Sequence, residues 1–96
     1  MEKEDVLKKL QEIKPELKEK YAVSELGLFG SYSRGDYDQN SDIDILVEYS
    51  EVLSLFTIID IIEYLQKIFN KKVDLVNKKN IKELIKDRIL NEAIYI

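Results

Sequence analysis

The chain has 96 residues, of which 45% are hydrophobic and 35% are charged, and its net charge is -4. This balance is typical of one small globular unit, so we predict a single domain over residues 1–96. The sequence contains no cysteine and no histidine. Their absence excludes a disulfide framework, a thiol nucleophile, an imidazole base and an ordinary zinc site. Any chemistry must therefore depend on carboxylates and hydroxyls.

The acidic charge lies in the first two thirds of the chain. Residues 1–65 carry 7 basic and 15 acidic groups, a balance of -8, whereas residues 66–96 carry 8 and 4, a balance of +4. An acidic stretch repels phosphate unless cations bridge the two, so we do not expect binding of DNA or RNA. The sequence shows no signal-peptide pattern and no apolar run of membrane-spanning length. We expect a cytoplasmic protein without membrane contact.

The first twenty residues have the pattern of an amphipathic helix. Four apolar residues recur at spacings of four, three and four, namely Val6, Leu10, Ile13 and Leu17. Pro15 is predicted to kink this helix or to split it in two, because proline lacks the backbone N–H and its ring collides with the preceding turn.

A strand and a short turn follow the first helix. Residues 25–29 are partly apolar and are predicted to form a strand that stops at Gly30. The segment GSYSRG, residues 30–35, has room for one helical turn, and Gly35 is its natural end.

Residues 42–49 predict a second strand with one buried face. The apolar face would carry Ile43, Ile45, Val47 and Tyr49, and the other face Asp42, Asp44, Leu46 and Glu48.

Residues 52–69 predict a helix by their length, with Ser54 as a candidate N-cap. Its apolar stripe would contain Leu55, Ile59, Ile62, Leu65 and Phe69. Phe56, Ile58 and Ile61 widen the stripe beyond the needs of one sheet face. This surplus is either core or a partner surface, and we expect a homodimer or a heterocomplex.

The last third of the chain predicts a strand, a helix and a final strand. Residues 72–76 form the strand, and Asn80 with Glu83 resembles a capping pair that opens a helix to about Asn91. The tail, residues 93–96, would add a last strand. The fold class is therefore α/β or α+β, with a short mixed sheet flanked by helices.

Asp42 and Asp44 are the first candidate site residues. They lie two apart on a strand, so both side chains project from one face with alpha carbons roughly 6–7 Å apart. Two carboxylates so placed can hold divalent ions, and Mg²⁺ prefers such hard oxygen ligands. The alternative is a solvent-exposed strand that happens to carry two acids.

The other candidates allow two interpretations each. Gly30 and Ser31 lead from a strand into a helical turn, where free amides bind phosphate, although a plain glycine-serine turn has the same sequence. Arg34 could contact phosphate or pair with a nearby acid. Asp74 lies in an otherwise apolar strand, where an ionised group needs a partner or a metal unless that strand is a wet edge.

Taken together, these segments resemble a known family. The run LFGSYSRGDYDQNSDIDILVEY, followed by KVDLV, is similar to the signature of the minimal nucleotidyltransferases of the DNA polymerase beta-like superfamily. The resemblance implies that Gly30, Ser31 and Arg34 bind the triphosphate. It also implies that Asp42, Asp44 and Asp74 are the catalytic metal ligands, with Mg²⁺ (two ions) or Mn²⁺ as the cofactor.

The same resemblance implies an activity and a partner. Family members of this size typically occur as antitoxins paired with a HEPN ribonuclease toxin. The resemblance therefore implies transfer of AMP from ATP to a tyrosine of such a toxin, with Asp74 as the general base or its orienter. Two alternatives stay open on the sequence. One is an antitoxin that acts by docking alone, and the other is an enzyme that adds a nucleotide to a small molecule or an RNA end.

Overall fold

The computed structural model describes residues 1–96, which form four helices packed around one sheet of four strands. The helices are α1 (Lys3–Tyr21), α2 (Gly30–Arg34), α3 (Leu55–Phe69) and α4 (Glu83–Glu92), and the strands are β1 (Val23–Phe29), β2 (Ile43–Tyr49), β3 (Val73–Asn77) and β4 (Ile94–Tyr95). The strand order is β3-β2-β1-β4, with β1 antiparallel to β2 and β4, and β2 parallel to β3. This mixed sheet with its helices confirms the predicted α+β class.

α1 continues through Pro15 as one helix, so the prediction that it splits in two there is wrong, and the alternative of a kink at Pro15 stays a prediction. The apolar residues of its inner face are all buried, namely Val6, Leu10, Ile13 and Leu17. Their burial against the sheet offsets the one backbone hydrogen bond that a proline removes.

β2 is buried on both faces, and the prediction of a single buried face is therefore wrong. Ile43 and Ile45 are fully buried on one side, as predicted. On the other side Leu46 is 1% exposed and packs with Phe29 and Ile89 in a second, smaller core. Ile89 belongs to α4, so a helix covers the face that the strand pattern had assigned to solvent.

α3 begins where the sequence indicated. The Ser54 side chain accepts a hydrogen bond from the Thr57 N–H at 3.2 Å, which confirms Ser54 as the N-cap. A cap of this kind satisfies one of the free N–H groups of the first turn.

The buried face of α3 differs from the predicted stripe. Its fully or nearly fully buried residues are Ile61, Leu65 and Phe69. Leu55 is 70% exposed and Ile59 is 42% exposed, so both lie outside the core. Phe56 is 82% exposed, so it is not part of the hydrophobic core. Its role in a partner surface stays a prediction.

The α3 register can be tested with two matched substitutions. We expect Ile61→Ala to lower the free energy of unfolding by about 2–5 kcal/mol, because it leaves a cavity in the core. Ile59→Ala removes the same atoms from the half-exposed face and should cost less than about 1 kcal/mol. Urea denaturation of both variants measures the difference, and equal losses would contradict this register.

α4 begins later than predicted, and the Asn80–Glu83 capping pair is wrong. Residues 78–80 form a single 3-10 turn, capped by the Asn77 side chain, which accepts from the Lys79 N–H at 3.0 Å. α4 then starts after Lys82, which makes no side-chain cap. The predicted final strand is confirmed as β4, at the edge of the sheet opposite β3. None of the helices has the length and apolarity that a bilayer crossing requires.

Candidate active site

The sheet brings two of the three candidate aspartates side by side. In the parallel pairing of β2 and β3, Asp44 stands directly opposite Asp74. Neighbouring strands lie about 4.8 Å apart, so the two carboxylates share one location on the face that α4 partly covers. β3 is an edge strand, as in the alternative interpretation of Asp74 as part of a wet strand edge. The Asp74 carboxylate nevertheless faces Asp44.

The two carboxylates oppose each other electrostatically. Burial, the negative charge of Asp74, a hydrogen bond with the Asp74 carboxyl and the charge of Asp42 together raise the pKa of Asp44 from 3.8 to about 6, while Arg34 acts in the opposite direction. A pair of close acids ionises together only with difficulty unless a cation compensates the charge. Two hard oxygen ligands with uncompensated charge fit a divalent metal ion.

Asp42 is close to this pair but points elsewhere. It precedes β2 by one residue, and its Oδ2 lies 3.8 Å from the Lys72 Nζ. No three acidic side chains of the structure come close enough to hold one metal ion together. Both partners of the Asp42–Lys72 pair are substantially exposed, so this contact contributes little to holding the Asp42 carboxylate in place.

Gly30 is required by the close approach of Asp44. Its φ is +73°, and a Cβ built on it would lie 2.0 Å from the Asp44 Oδ2. A side chain at this position would collide with the carboxylate and strain the backbone. α2 starts here, continues through Ser31 and ends at Gly35, whose φ of +88° confirms the predicted stop.

Arg34 is paired with acids in this structure. Its Nε donates to the Asp36 Oδ2 and one of its terminal nitrogens to the Glu92 Oε1, both at 3.0 Å. These hydrogen bonds, that to Asp36 first, raise the pKa of Arg34. Arg34 also favours the ionised form of Asp44, so its charge acts on the carboxylate pair as well.

The loop before Asp42 is held by short polar contacts. The Ser41 hydroxyl accepts from the Asp38 N–H at 2.9 Å. Lys71 donates to the carbonyls of Gln39 and Ser41 at 2.7 and 3.2 Å. Asp42 is therefore delivered to the start of β2 by a fixed segment.

An open cleft of about 530 Å³ lies over the carboxylate pair, between β3 and α4. Its lining comprises Phe29, Asp44, Asp74, Leu75, Val76, Asn80, Ile81, Lys82, Ile85, Arg88 and Ile89. This volume lies within the range of small-molecule sites. Lys82 and Arg88 are not among the candidates that the sequence motifs indicate, and the +4 balance of residues 66–96 is the only sequence signal for them.

The raised pKa of Asp44 predicts how metal and pH act on stability. Because its folded-state pKa of about 6 exceeds the ordinary 3.8, folding favours the protonated form. Its contribution to stability is present below about pH 4 and is lost as the pH rises through about 6. For the metal-free protein, we expect the Tm of wild type minus the Tm of Asp44→Asn to decrease as the pH rises from about 4 to above about 6.

Divalent metal should reverse this loss. We expect Mg²⁺ to raise the Tm more at about pH 7.5 than at about pH 5, because the ion replaces the proton only once the carboxylates ionise. Thermal melts with a chelator and with Mg²⁺ at both pH values measure it. An effect of Mg²⁺ that is equal at both would contradict the metal assignment.

Comparison with known proteins gives the family. The model of the nucleotidyltransferase domain matches residues 10–96. The chain is 43% identical over 83 residues to the protein adenylyltransferase MntA of Thermococcus cleftensis, covering 86% of this chain and 84% of that protein.

Solved structures share the fold. A protein provisionally described as a minimal nucleotidyltransferase aligns with a TM-score of 0.82 at 24% identity, covering 98% of this chain and 95% of its own. A mutant of the toxin–antitoxin pair MntA–HpeT aligns with a TM-score of 0.73 at 25% identity, covering 90% of this chain and 69% of its own. The chain belongs to the nucleotidyltransferase domain family.

Proposed function

We propose that residues 1–96 form a single nucleotidyltransferase domain that transfers AMP from ATP to a tyrosine of a HEPN ribonuclease toxin. The observation that carries this proposal is the opposed pair Asp44 and Asp74 beside the turn at Gly30. The sequence similarity to the protein adenylyltransferase MntA and the likeness to a toxin–antitoxin complex support the acceptor and the partner.

Asp42, Asp44 and Asp74 are the proposed catalytic metal ligands. Asp44 and Asp74 already face one another, and Asp42 joins them by turning away from Lys72. Bound Mg²⁺ (two ions) or Mn²⁺ would supply charge neutralisation at the triphosphate and a more acidic acceptor hydroxyl.

The transfer is an in-line displacement at the α-phosphorus. The tyrosine oxygen forms the new P–O bond, the bond from the α-phosphorus to the bridging oxygen of the β-phosphate breaks, and pyrophosphate leaves with the bonding electrons. Asp74 accepts the tyrosine proton or orients the hydroxyl. Its position on the edge strand, at the mouth of the cleft, leaves room for an acceptor from another molecule.

Gly30, Ser31 and Arg34 are the proposed triphosphate-binding residues. Gly30 keeps the backbone close to the Asp44 carboxylate, so the phosphates and the metal ligands stay adjacent. Ser31 offers a hydroxyl donor in the first turn of α2. The guanidinium of Arg34 has five donors, and its contacts with Asp36 and Glu92 leave others for phosphate.

Intact-mass analysis of the toxin tests the transfer. The toxin encoded with this chain is incubated with this protein, ATP and Mg²⁺, and the double variant Asp42→Asn/Asp44→Asn serves as the control. We expect a mass increase of whole AMP units with wild type and none with the control. A stable complex with both proteins, without a mass increase, would instead favour neutralisation by docking.

A second experiment tests whether the acceptor is a protein, a small molecule or an RNA end. Labelled ATP is supplied with small molecules that carry hydroxyls, or with RNA ends, in the absence of the toxin. We expect no labelled product, because the cleft over Asp44 and Asp74 lies open at the edge of the sheet and does not enclose a small acceptor. Efficient labelling without the toxin would contradict the protein acceptor.

A further inference from the structure

Glu92, the last residue of α4, reaches back to the turn at the start of α2. Its Oε2 accepts from the Gly30 N–H at 3.2 Å, and its Oε1 accepts from Arg34 at 3.0 Å. Its backbone carbonyl accepts from the Ser33 hydroxyl. The side chain is only 14% exposed, and this one residue joins α4 to three residues of α2, namely Gly30, Ser33 and Arg34.

The placement of this carboxylate is locally unfavourable. It stands at the C-terminal end of a helix, where the helix dipole disfavours an anion, and it is mostly buried. Its nearest compensation is Arg34, since the Arg88 Nε lies further away at 3.9 Å. The Glu92 side of this pair is mostly buried and the Arg34 side is 43% exposed, and the charge-assisted hydrogen bond between them fixes the position of one group relative to the other.

The Glu92 carboxylate contacts Gly30 and Arg34, and both are residues that we propose bind the triphosphate. The Gly30 N–H is taken up by Glu92, so within this turn the Ser31 amide and hydroxyl are the donors left to phosphate. Arg34 is clamped between Asp36 and Glu92, and its charge still acts on Asp44. Clamping reduces the entropy that Arg34 loses when phosphate binds.

We propose that Glu92 is a positioning residue, which fixes the Gly30 turn and the Arg34 guanidinium for the triphosphate. This inference rests on the proposed nucleotidyl transfer. Glu92 touches neither substrate nor metal in this role, and its effect passes through Gly30 and Arg34. The rival role is competition, in which the carboxylate occupies the donors and must leave before phosphate binds. The two roles predict opposite changes in the affinity for ATP.

Three variants separate these roles. Glu92→Ala removes both contacts, whereas Glu92→Gln keeps an oxygen acceptor for the Gly30 N–H and removes the charge that pairs with Arg34. Asp87→Asn is the matched control, because Asp87 is an exposed acid of the same helix that forms no ion pair. For each protein, calorimetry gives the Kd for ATP with Mg²⁺, toxin labelling gives kcat and KM, and thermal melts report folding.

We expect Glu92→Ala to weaken ATP binding by about tenfold or more, with a smaller change in kcat, since a charge-assisted contact is lost from a binding group. Glu92→Gln should recover part of the affinity, and Asp87→Asn should match wild type. If Glu92→Ala does not fold, the Glu92→Gln affinity decides. Unchanged or tighter ATP binding in the folded variants would overturn the positioning role, and tighter binding would identify competition. Failure of wild type itself to bind ATP would instead remove the proposed function.

Discussion

Asp44→Asn is expected to reduce AMP transfer by more than about 100-fold and, at the same time, to stabilise the metal-free protein. Residues that merely orient metal ligands already contribute 10- to 100-fold, so a ligand should contribute more. The gain in stability follows from the pKa of Asp44, which burial and the neighbouring Asp74 charge raise to about 6. An uncharged amide at this position relieves the repulsion that the ionised carboxylate feels at neutral pH.

Two measurements on one variant test this. Intact-mass kinetics with the toxin give the loss of transfer, and thermal melts in chelator at about pH 7.5 give the change in Tm. Glu48→Gln is a control on the same strand. Glu48 is also an acid of β2, but it lies near the end of the strand that is distant from Asp74. Loss of transfer together with a lower Tm would mean that Asp44 has a structural role, and the metal-ligand assignment would lose its support.

The order of the elements could be predicted because short-range patterns determine it. The period of α1, the glycine stops of α2 and the cap at Ser54 are all local features, and the structure contains each of them. The pairing of Asp44 with Asp74 depends on a parallel register between strands about thirty residues apart, which no local pattern specifies. The motif resemblance suggested that these two residues act together, and the sheet register supplies the geometry.

The predictions about Leu46 and Ile59 were wrong for a common physical reason, which is tertiary packing. Leu46 was assigned to solvent because its strand neighbours are acids, but α4 covers that face. Ile59 was assigned to the core because its helical spacing fits, but the sheet contacts the face of Ile61 instead. Glu92 gave no signal of its own, since its contacts with Gly30 and Arg34 join positions about sixty residues apart. Which face of an amphipathic element is buried depends on its neighbours in space.

Gly30→Ala should affect both stability and transfer, and the protein offers a control that separates the two causes. An alanine Cβ at this position would lie 2.0 Å from the Oδ2 and 2.8 Å from the Cγ of Asp44. The φ of +73° adds backbone strain of roughly 1–2 kcal/mol. To relieve the collision the Asp44 carboxylate must move, and a displacement of about 1 Å at a catalytic group can cost about 100-fold in rate.

Gly35→Ala isolates the strain from the collision. Gly35 has a φ of +88°, similar to that of Gly30, but nothing lies within 4 Å of its added Cβ. We therefore expect Gly35→Ala to lower the free energy of unfolding by roughly 1–2 kcal/mol and to leave transfer nearly intact. Gly30→Ala should show the same loss or a larger one, together with nearly complete loss of transfer. Equal activities of the two variants, measured by toxin labelling at a temperature where both are folded, would show that contact between Gly30 and Asp44 does not set the geometry of the site.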